Sequence, residues 1–412
     1  MAVLPLTSCF SSSADGKALF YAVEDVPANS VLLVRSREKA LDFPTGTIEL
    51  ALCPQTGFIT NQAFDEDLVN YNAEYEETQG FSGTFSAFHR RLAEDLIDRY
   101  DLRDKTILEI GCGKGEFLTL LCELGGNDGV GFDPAYRPER NTSPAAECIT
   151  FIQDFYSEAY AHYTADFMCC KMTLEHIPDV ADFVGMVRRA VGDNRDTVVF
   201  FQVPDVRRVL RDIAFWDVYH EHCSYFSAGS LGRLFRSQGF EVLSLWTDYD
   251  DQYLMIEARP GTGEAASSAL LKGEESLAEL AADVERFAAE VRQRLDSWRT
   301  VLAEYHDEGR HVALWGGGSK AVAFLTTLGL TDEVGAVVDI NPFKQGTFLP
   351  GTAHEVVAPK ALKSDPPDIV VIMNPIYHDE IQADLQRLGL TPTLWYIDAD
   401  PVYLQAQEAD AR

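Results

Sequence analysis

The stretch Glu109-Ile-Gly-Cys-Gly-Lys-Gly-Glu-Phe117 constrains this chain most. The apolar run Thr106-Ile-Leu-Glu-Ile110 reads as a strand, and Glu116 to Leu124 as a helix. Alternate glycines between them permit left-handed backbone and keep side chains out of the turn, so the main chain can approach a ligand closely. A second strand, Gly129-Val-Gly-Phe-Asp133, ends in an acid at the interval where a carboxylate accepts both hydroxyls of a ribose. Strand, turn, helix and strand in this order open a parallel sheet covered on both faces.

The alternation continues to about Arg259. Strands are expected over Ile149-Thr-Phe-Ile-Gln-Asp154, Ala165-Asp-Phe-Met-Cys-Cys170 and Thr197-Val-Val-Phe-Phe-Gln-Val203, the last stopping at Pro204. Gly239 to Leu245 and Tyr253 to Arg259 complete the sheet as an antiparallel hairpin edge. The turn is ExGxGxG, not the GxGxxG of dinucleotide sites, and its spacing resembles that of class I S-adenosylmethionine-dependent methyltransferases. The resemblance implies S-adenosylmethionine as cofactor, with Glu109, Gly111, Gly113, Gly115, Asp133 and Asp154 around it. It also implies that the loop Lys171-Met-Thr-Leu-Glu-His-Ile-Pro-Asp179 borders the sulfonium and the substrate.

With 412 residues, and roughly 150 per domain, the chain has room for two or three domains. Its 34 basic and 65 acidic residues leave a net charge of −31, which repels nucleic acid and anionic membrane alike. The expected partner is a small molecule, with the protein a monomer or homodimer. Eight scattered cysteines show no disulfide spacing, Met1 to Phe10 lack a basic segment, and no apolar run reaches the ~18 residues of a membrane helix. These features place the expectation in the cytoplasm.

Residues 1–70 read as a small β-rich unit, with strands at Ser30-Val-Leu-Leu-Val-Arg35, Gly46 to Cys53 and Gly57-Phe-Ile-Thr60. Cys53-Pro-Gln-Thr-Gly57 and Cys9-Phe-Ser-Ser12 look like the arms of a zinc knuckle in which Thr56 and Ser12 replace the second thiols. Two thiols cannot close a four-ligand shell, so no metal is expected. A polar, aromatic segment, Val69 to Thr78, precedes a helix from about Thr84 to Tyr100, and its tyrosines stand where they could cover a site.

The second informative stretch is Phe215-Trp-Asp-Val-Tyr-His-Glu-His-Cys-Ser-Tyr-Phe-Ser227. Two histidines flanking a glutamate are a dense set of proton-handling groups, and a neutral His222 can take a proton from a carbon or oxygen acid. As an extended run, it would put His220 and His222 on one side, with Tyr219 and Glu221 on the other. Two histidines without further ligands do not make a zinc site.

Taken with Glu109 to Glu116 and Leu174-Glu-His-Ile-Pro178, this stretch resembles the three-domain C-methyltransferases typified by the deoxysugar C-methyltransferases of antibiotic pathways. Those enzymes join a small zinc domain, a class I methyltransferase domain and a Rossmann-like C-terminal domain. The resemblance implies His222 as the base that removes a proton beside a keto group. Glu221, Tyr219 and His176 support it, with Tyr71 or Tyr75 near the substrate. Asp250-Asp-Gln-Tyr253 stands where the sugar enzymes tend to carry a glycine pair, which argues against carrying over their nucleotide-sugar substrate.

Beyond Gly261-Thr-Gly-Glu264 a long helix to about Tyr305 carries an apolar stripe, an interdomain strut or dimer seam rather than a ligand box. Then His311 to Trp315, Gly316-Gly-Gly-Ser-Lys-Ala321 and a strand ending at Asp339 match a dinucleotide turn. Read alone this is a nicotinamide site; against the family it is a substrate-binding or structural domain. Ser319 and Lys320 at a helix N-terminus could hold a phosphate. Asn374, after the strand Asp368 to Met373, stands at the sheet edge where ligands bind.

The expectation is thus an α/β protein: a β-rich domain over 1–70, a methyltransferase domain over 71–260, a helical linker over 261–308 and a Rossmann-like domain over 309–412. Its expected activity is transfer of a methyl group from S-adenosylmethionine to carbon beside a carbonyl of a small molecule in specialised metabolism. An O- or N-methyltransferase, or an NAD(P)-dependent enzyme built on the C-terminal turn, is the alternative.

Overall fold

A computed structural model describes residues 16–262 and 270–411, so Cys9 and Ser12 lie outside the described residues. Ala18–Pro27 (β1), Thr45–Leu52 (β2) and Ile59–Asn61 (β3) form an antiparallel sheet. Its fourth strand is Ser224–Tyr225 (β9), which pairs with β3 through Ile59 and Thr60. The first sheet therefore takes in part of the histidine stretch and does not end at residue 70.

Ser30 to Arg35, expected as a strand, is instead an open connection to the short helix Arg37–Leu41 (α1). Its main chain is shared between two neighbours, which prevents a continuous ladder. Leu33 N–H donates to Glu74 O (2.9 Å) and Val31 O accepts from Glu76 N–H (3.0 Å), while Val34 O accepts from Phe348 N–H (2.8 Å).

The knuckle-like turn at Cys53 is closed by hydrogen bonds. Gly57 N–H donates to Cys53 O (2.9 Å), and the Thr56 hydroxyl accepts from Phe58 N–H (3.2 Å). Arg233 Nε donates to Thr56 O (2.7 Å), so an arginine braces the turn. The donor set at this turn is one thiol and an already engaged hydroxyl, which does not fit a zinc shell.

The central sheet follows from the alternation: Thr106–Ile110 (β4), Asp128–Phe132 (β5), Ile149–Ile152 (β6), Phe167–Lys171 (β7), Val198–Pro204 (β8), Phe240–Asp248 (β10) and Tyr253–Pro260 (β11). Their order is β10-β11-β8-β7-β4-β5-β6, with β11 antiparallel to both neighbours. Gly83–Tyr100 (α2), Glu116–Gly125 (α3), Val180–Val191 (α4), Val206–Arg211 (α5) and Ala228–Ser237 (α6) accompany it. Helix α2 starts where the Ser82 hydroxyl accepts from Phe85 N–H, and it buries Phe85, Phe88, Leu92, Leu96 and Ile97.

Leu277–Asp307 (α7) starts at a capping box between Ser276 and Glu279. Its Leu280, Val284, Phe287, Val291, Trp298 and Leu302 share a core with Tyr21, Ile48 and Leu50 of the first sheet and with Phe324 and Trp395 further on. The apolar stripe is a strut within one chain.

The last sheet is wholly parallel: Val312–Trp315 (β12), Ala336–Val338 (β13), Val356–Val357 (β14), Ile369–Ile372 (β15) and Thr393–Tyr396 (β16), in the order β14-β13-β12-β15-β16. Ser319–Leu328 (α8), His378–Leu388 (α9) and Pro401–Ala411 (α10) complete this part of the chain. In both parallel sheets the strand order reverses beside the strand that carries a glycine turn, β4 in one and β12 in the other, which is where open α/β sheets bind ligands. No helix among the described residues is long and apolar enough to cross a membrane.

Candidate active site

The turn after β4 is left-handed at each alternate glycine, with φ of 69° at Gly111, 54° at Gly113 and 79° at Gly115. A Cβ would fall 2.0 Å from Thr173 Oγ1 at Gly111, 2.5 Å from Glu77 Oε1 at Gly113 and 2.6 Å from the Phe151 ring at Gly115. The left-handed backbone favours glycine at all three positions, and a Cβ at any of them would force a neighbour to shift. Glu109 turns its carboxylate to the helix: Oε2 accepts from Leu118 N–H (3.0 Å), which pins the first turn of α3. Burial pushes its carboxyl up to about 7, with the cationic Lys171 opposing.

Asp133 ties the turn to β5, its two oxygens accepting from Gly113 N–H (2.8 Å) and Ala135 N–H (2.7 Å). Asp154 accepts from Phe155 N–H (2.8 Å) and the Tyr160 hydroxyl (2.6 Å). Each carboxylate oxygen keeps lone pairs for a ligand.

A single cavity of about 580 Å³ joins the two switch points. Glu109, Gly111, Gly113, Asp133 and Asp154 line one end; Tyr71, Tyr75, His176, Tyr219 and His222 stand in the middle; Ser319, Lys320 and Asn374 line the other. Gly115 and Glu221 do not reach its wall. The cavity is bridged at Gln252 and Asn374, whose side-chain amides exchange two hydrogen bonds of 3.1 and 3.0 Å. The loop before α2 is clamped from both sides, since Glu76 accepts from Arg140 (2.8 and 3.1 Å) and from Asn341 Nδ2 (2.9 Å).

The middle of the cavity is a cluster of aromatic and proton-handling groups. His176 Nδ1 lies 2.8 Å from the Tyr71 hydroxyl and 3.0 Å from Glu221 O. A carbonyl only accepts, so the Nδ1–H tautomer satisfies it and leaves Nε2 as the acceptor. Burial lowers His176 to about 4, and burial, His176 and Lys320 hold His222 well below the usual histidine range. Both imidazoles are neutral near pH 7. The His222 ring is 4.8 Å from those of His176 and Tyr219 and makes no hydrogen bond among the described residues.

Residues 220 and 221 form a turn, and the expected strand-like alternation fails there. His222 packs with Tyr219, whereas His220 lies on the far side against Phe64 (5.5 Å) and under Gly46. Glu221 also points away from His222. Its Oε1 accepts from the Ser30 N–H (3.0 Å) and hydroxyl, and Ser30 Oγ is 2.7 Å from Ser319 Oγ. Burial raises Glu221 to about 7.

Lys320 is engaged by Asp217, which also takes Arg208 (3.3 Å) and the Tyr219 hydroxyl (2.9 Å). With Ser319 bonded to Ser30, the expected phosphate seat is already occupied by protein groups. In the C-terminal turn Asp339 accepts from Gly317 N–H (2.9 Å) and Asn341 N–H (2.8 Å), and Lys344 Nζ sits 3.6 Å from it, over Gly318.

Glu175, unassigned from sequence, is 1% exposed, lacks a hydrogen-bond partner at either oxygen and is raised to about 8 by burial. Its ligand atom and those of His176 and His222 span up to 4.8 Å. Two atoms ~2.1 Å from one ion stand at most ~4.2 Å apart, so the trio does not hold a metal as placed. Lys171, His89 and Glu77 also line the cavity. A charge closing the apolar run Phe167-Met-Cys-Cys170 was the available signal for Lys171. His89 lay within a helix whose apolar face drew the reading.

Comparison with known proteins accounts for both halves of this cavity. A methyltransferase domain family matches residues 85–245, and the C-methyltransferase C-terminal domain family matches residues 256–393. The chain is an S-adenosylmethionine-dependent methyltransferase that also carries the C-terminal domain found in C-methyltransferases. It is 27% identical over 357 residues to C-methyltransferase NovU of Streptomyces niveus, covering 81% of each chain.

Among solved structures, the RosA dimethyltransferase of Streptomyces davawensis matches at 19% identity and a TM-score of 0.35, over 43% of this chain and 56% of that one. This chain thus spans little more than half the length of that structure. The 1,6-didemethyltoxoflavin-N1-methyltransferase of Burkholderia thailandensis matches at 19% and 0.33, over 42% and 78%. The glycine turn after β4 lies within the methyltransferase-domain match. The turn after β12 lies within the C-methyltransferase C-terminal domain match.

Proposed function

We propose that this methyltransferase moves a methyl group from S-adenosylmethionine to carbon beside a carbonyl of a small-molecule acceptor in natural-product metabolism. The acceptor would lie between the central and C-terminal sheets. One observation carries the reading: the glycine cradle and the His176, His222, Tyr71 and Tyr219 cluster line the same cavity. The donor supplies an electrophilic methyl group on sulfonium, and the chain's residues must supply the base that makes the acceptor carbon a nucleophile.

His222, neutral and without a hydrogen bond among the described residues, is the base. The C–H electron pair becomes an enolate as the proton moves to the imidazole. Tyr71, Tyr75, Tyr219 and His176 surround the position where the enolate oxygen gathers charge, and the apolar rings exclude water. Glu221 acts at one remove, through the carbonyl that fixes His176 and the Ser30 to Ser319 link. Asn374, with Gln252, and Ser319 and Lys320 shape the acceptor end.

The test is to supply labelled S-adenosylmethionine with extracts of the producing organism and to compare wild type with His222→Gln. Wild type should label one small molecule, and the variant should bind S-adenosylhomocysteine normally yet label none. A variant with full turnover would remove His222 from the role.

A further inference from the structure

Six glutamates are buried among the described residues, and protein groups hold five of them. Glu76 takes Arg140, Glu109 the Leu118 amide, Glu221 Ser30, Glu257 Arg99 and Glu275 Ser227. Glu175 has no hydrogen-bond partner at either oxygen among the described residues, and it lines the cavity. An unpaired carboxylate at that depth is costly, so the side chain keeps its proton at neutral pH, burial raising it to about 8. It is an O–H donor to which the described residues offer no acceptor.

The surroundings keep it protonated. Tyr71 and Tyr75 face it from the loop before α2, Cys170 from β7, His222 and Cys223 from the turn before β9, and Tyr253 from β11. None of these is a cation near pH 7, so none draws the proton off. The segment is also fixed against the one that carries His222. The Cys223 thiol donates to Glu175 O (3.6 Å), and the Ser224 hydroxyl donates to Ile177 O (2.7 Å).

A Glu175 oxygen lies no more than 4.8 Å from a ring nitrogen of His222. A general base comes within about 3 Å of the carbon it deprotonates, and an acid within about 3 Å of the oxygen it supports. In an H–C–C=O unit that carbon and that oxygen are two bonds apart, so an acid and a base at this separation serve both ends at once. Because His176 Nδ1–H goes to Glu221 O, the Tyr71 hydroxyl proton is left for the same oxygen.

We infer that Glu175 is a second catalytic group, whose O–H donates to the acceptor's carbonyl oxygen while His222 takes the proton from the neighbouring carbon. The role rests on the enolate reading above and deepens it. The C–H pair becomes the enolate double bond, and the carbonyl π pair moves onto the oxygen that Glu175 holds. As the carbon attacks the methyl group, the carbonyl re-forms and the S–CH₃ pair goes to sulfur. Glu175 keeps its proton throughout, and the C–H proton leaves on His222. A carboxylate in the same place would repel the enolate.

The test is the initial rate of labelling from labelled S-adenosylmethionine in extract of the producing organism, followed from about pH 6.5 to about pH 9.5. Calorimetric titration with S-adenosylhomocysteine runs beside it. The wild-type rate should fall about tenfold per pH unit above about pH 8, with affinity within about twofold. Glu175→Gln keeps the shape and a weaker donor, so it should label about 10- to 100-fold more slowly at neutral pH and lose the fall. A variant that labels at the wild-type rate, or that keeps the fall, would overturn the role. The wild type gives a reading independent of how the variant folds, since a rate flat or rising through that range would also overturn it. Wild type that binds S-adenosylhomocysteine but labels nothing, or labels oxygen or nitrogen, would instead sink the enolate reading.

Discussion

The hydroxyl of Tyr71 lies 2.8 Å from Nδ1 of His176, joining the loop before α2 to the loop after β7. Since Glu221 O takes the same nitrogen at 3.0 Å, three separate segments meet on one imidazole. Tyr71→Phe removes one of the contacts and keeps the ring. The expected outcome is a roughly 10-fold lower kcat, with S-adenosylhomocysteine affinity unchanged. His222→Ala should cost about 10²- to 10⁴-fold in kcat, the range for a lost general base. Steady-state kinetics beside a binding titration separate the two effects.

Gly113→Ala should abolish donor binding, because its φ is 54° and a Cβ would stand 2.5 Å from Glu77 Oε1. Gly318→Ala should leave donor binding intact: its φ is an ordinary −117°, and a Cβ meets only the flexible end of Lys344, at 3.4 Å. Titrating both variants with S-adenosylhomocysteine tells the two glycine turns apart.

What the sequence disclosed was what local spacing encodes. The run from β4 through α3 to β5 needs no distant partner, and its glycines and Asp133 were legible. The pairing of β9 with β3 was not, since a two-residue strand owes its existence to Ile59 and Thr60, more than 160 residues earlier in the chain. The His220 and His222 alternation failed for a related reason: a turn needing neither glycine nor proline reverses the faces. Lys320 looked free to bind an anion because its partner Asp217 lies 103 residues away in sequence.

Ser30 and Ser319 bind through their hydroxyls at 2.7 Å, 289 residues apart. Ser30 has one hydroxyl proton, which goes to Glu221, so Ser319 must donate to Ser30. Ser30→Ala strips Glu221 of the hydroxyl donor and leaves it the Ser30 N–H, and should cost about 1–3 kcal/mol. In a double-mutant cycle with Ser319→Ala, the combined loss should fall short of the sum of the single losses. Chemical denaturation of the three variants measures it.

The ligand-free protein should lose stability as pH rises from about 6.5 to about 8. Burial raises Glu109, Glu221 and Asp205 to about 7 and Glu175 to about 8. In that window the folded chain holds protons that the unfolded chain has released, so each such group lowers stability by about 1.4 kcal/mol per pH unit until its folded value is passed. His176, lowered to about 4, acts in the opposite sense but only below the ordinary histidine value of ~6.5. Glu175→Gln should flatten the decline, and melting temperatures across the window are the readout.

Carbon methylation through an enolate formed in this cavity leaves a new carbon–carbon bond in the product. The most direct measurement is the product formed with S-adenosyl-[¹³C-methyl]methionine, analysed by carbon NMR on a ¹³C-enriched acceptor pool. The label should be coupled to an adjacent carbon and should vanish with His222→Gln. A label carried on oxygen or nitrogen would contradict it.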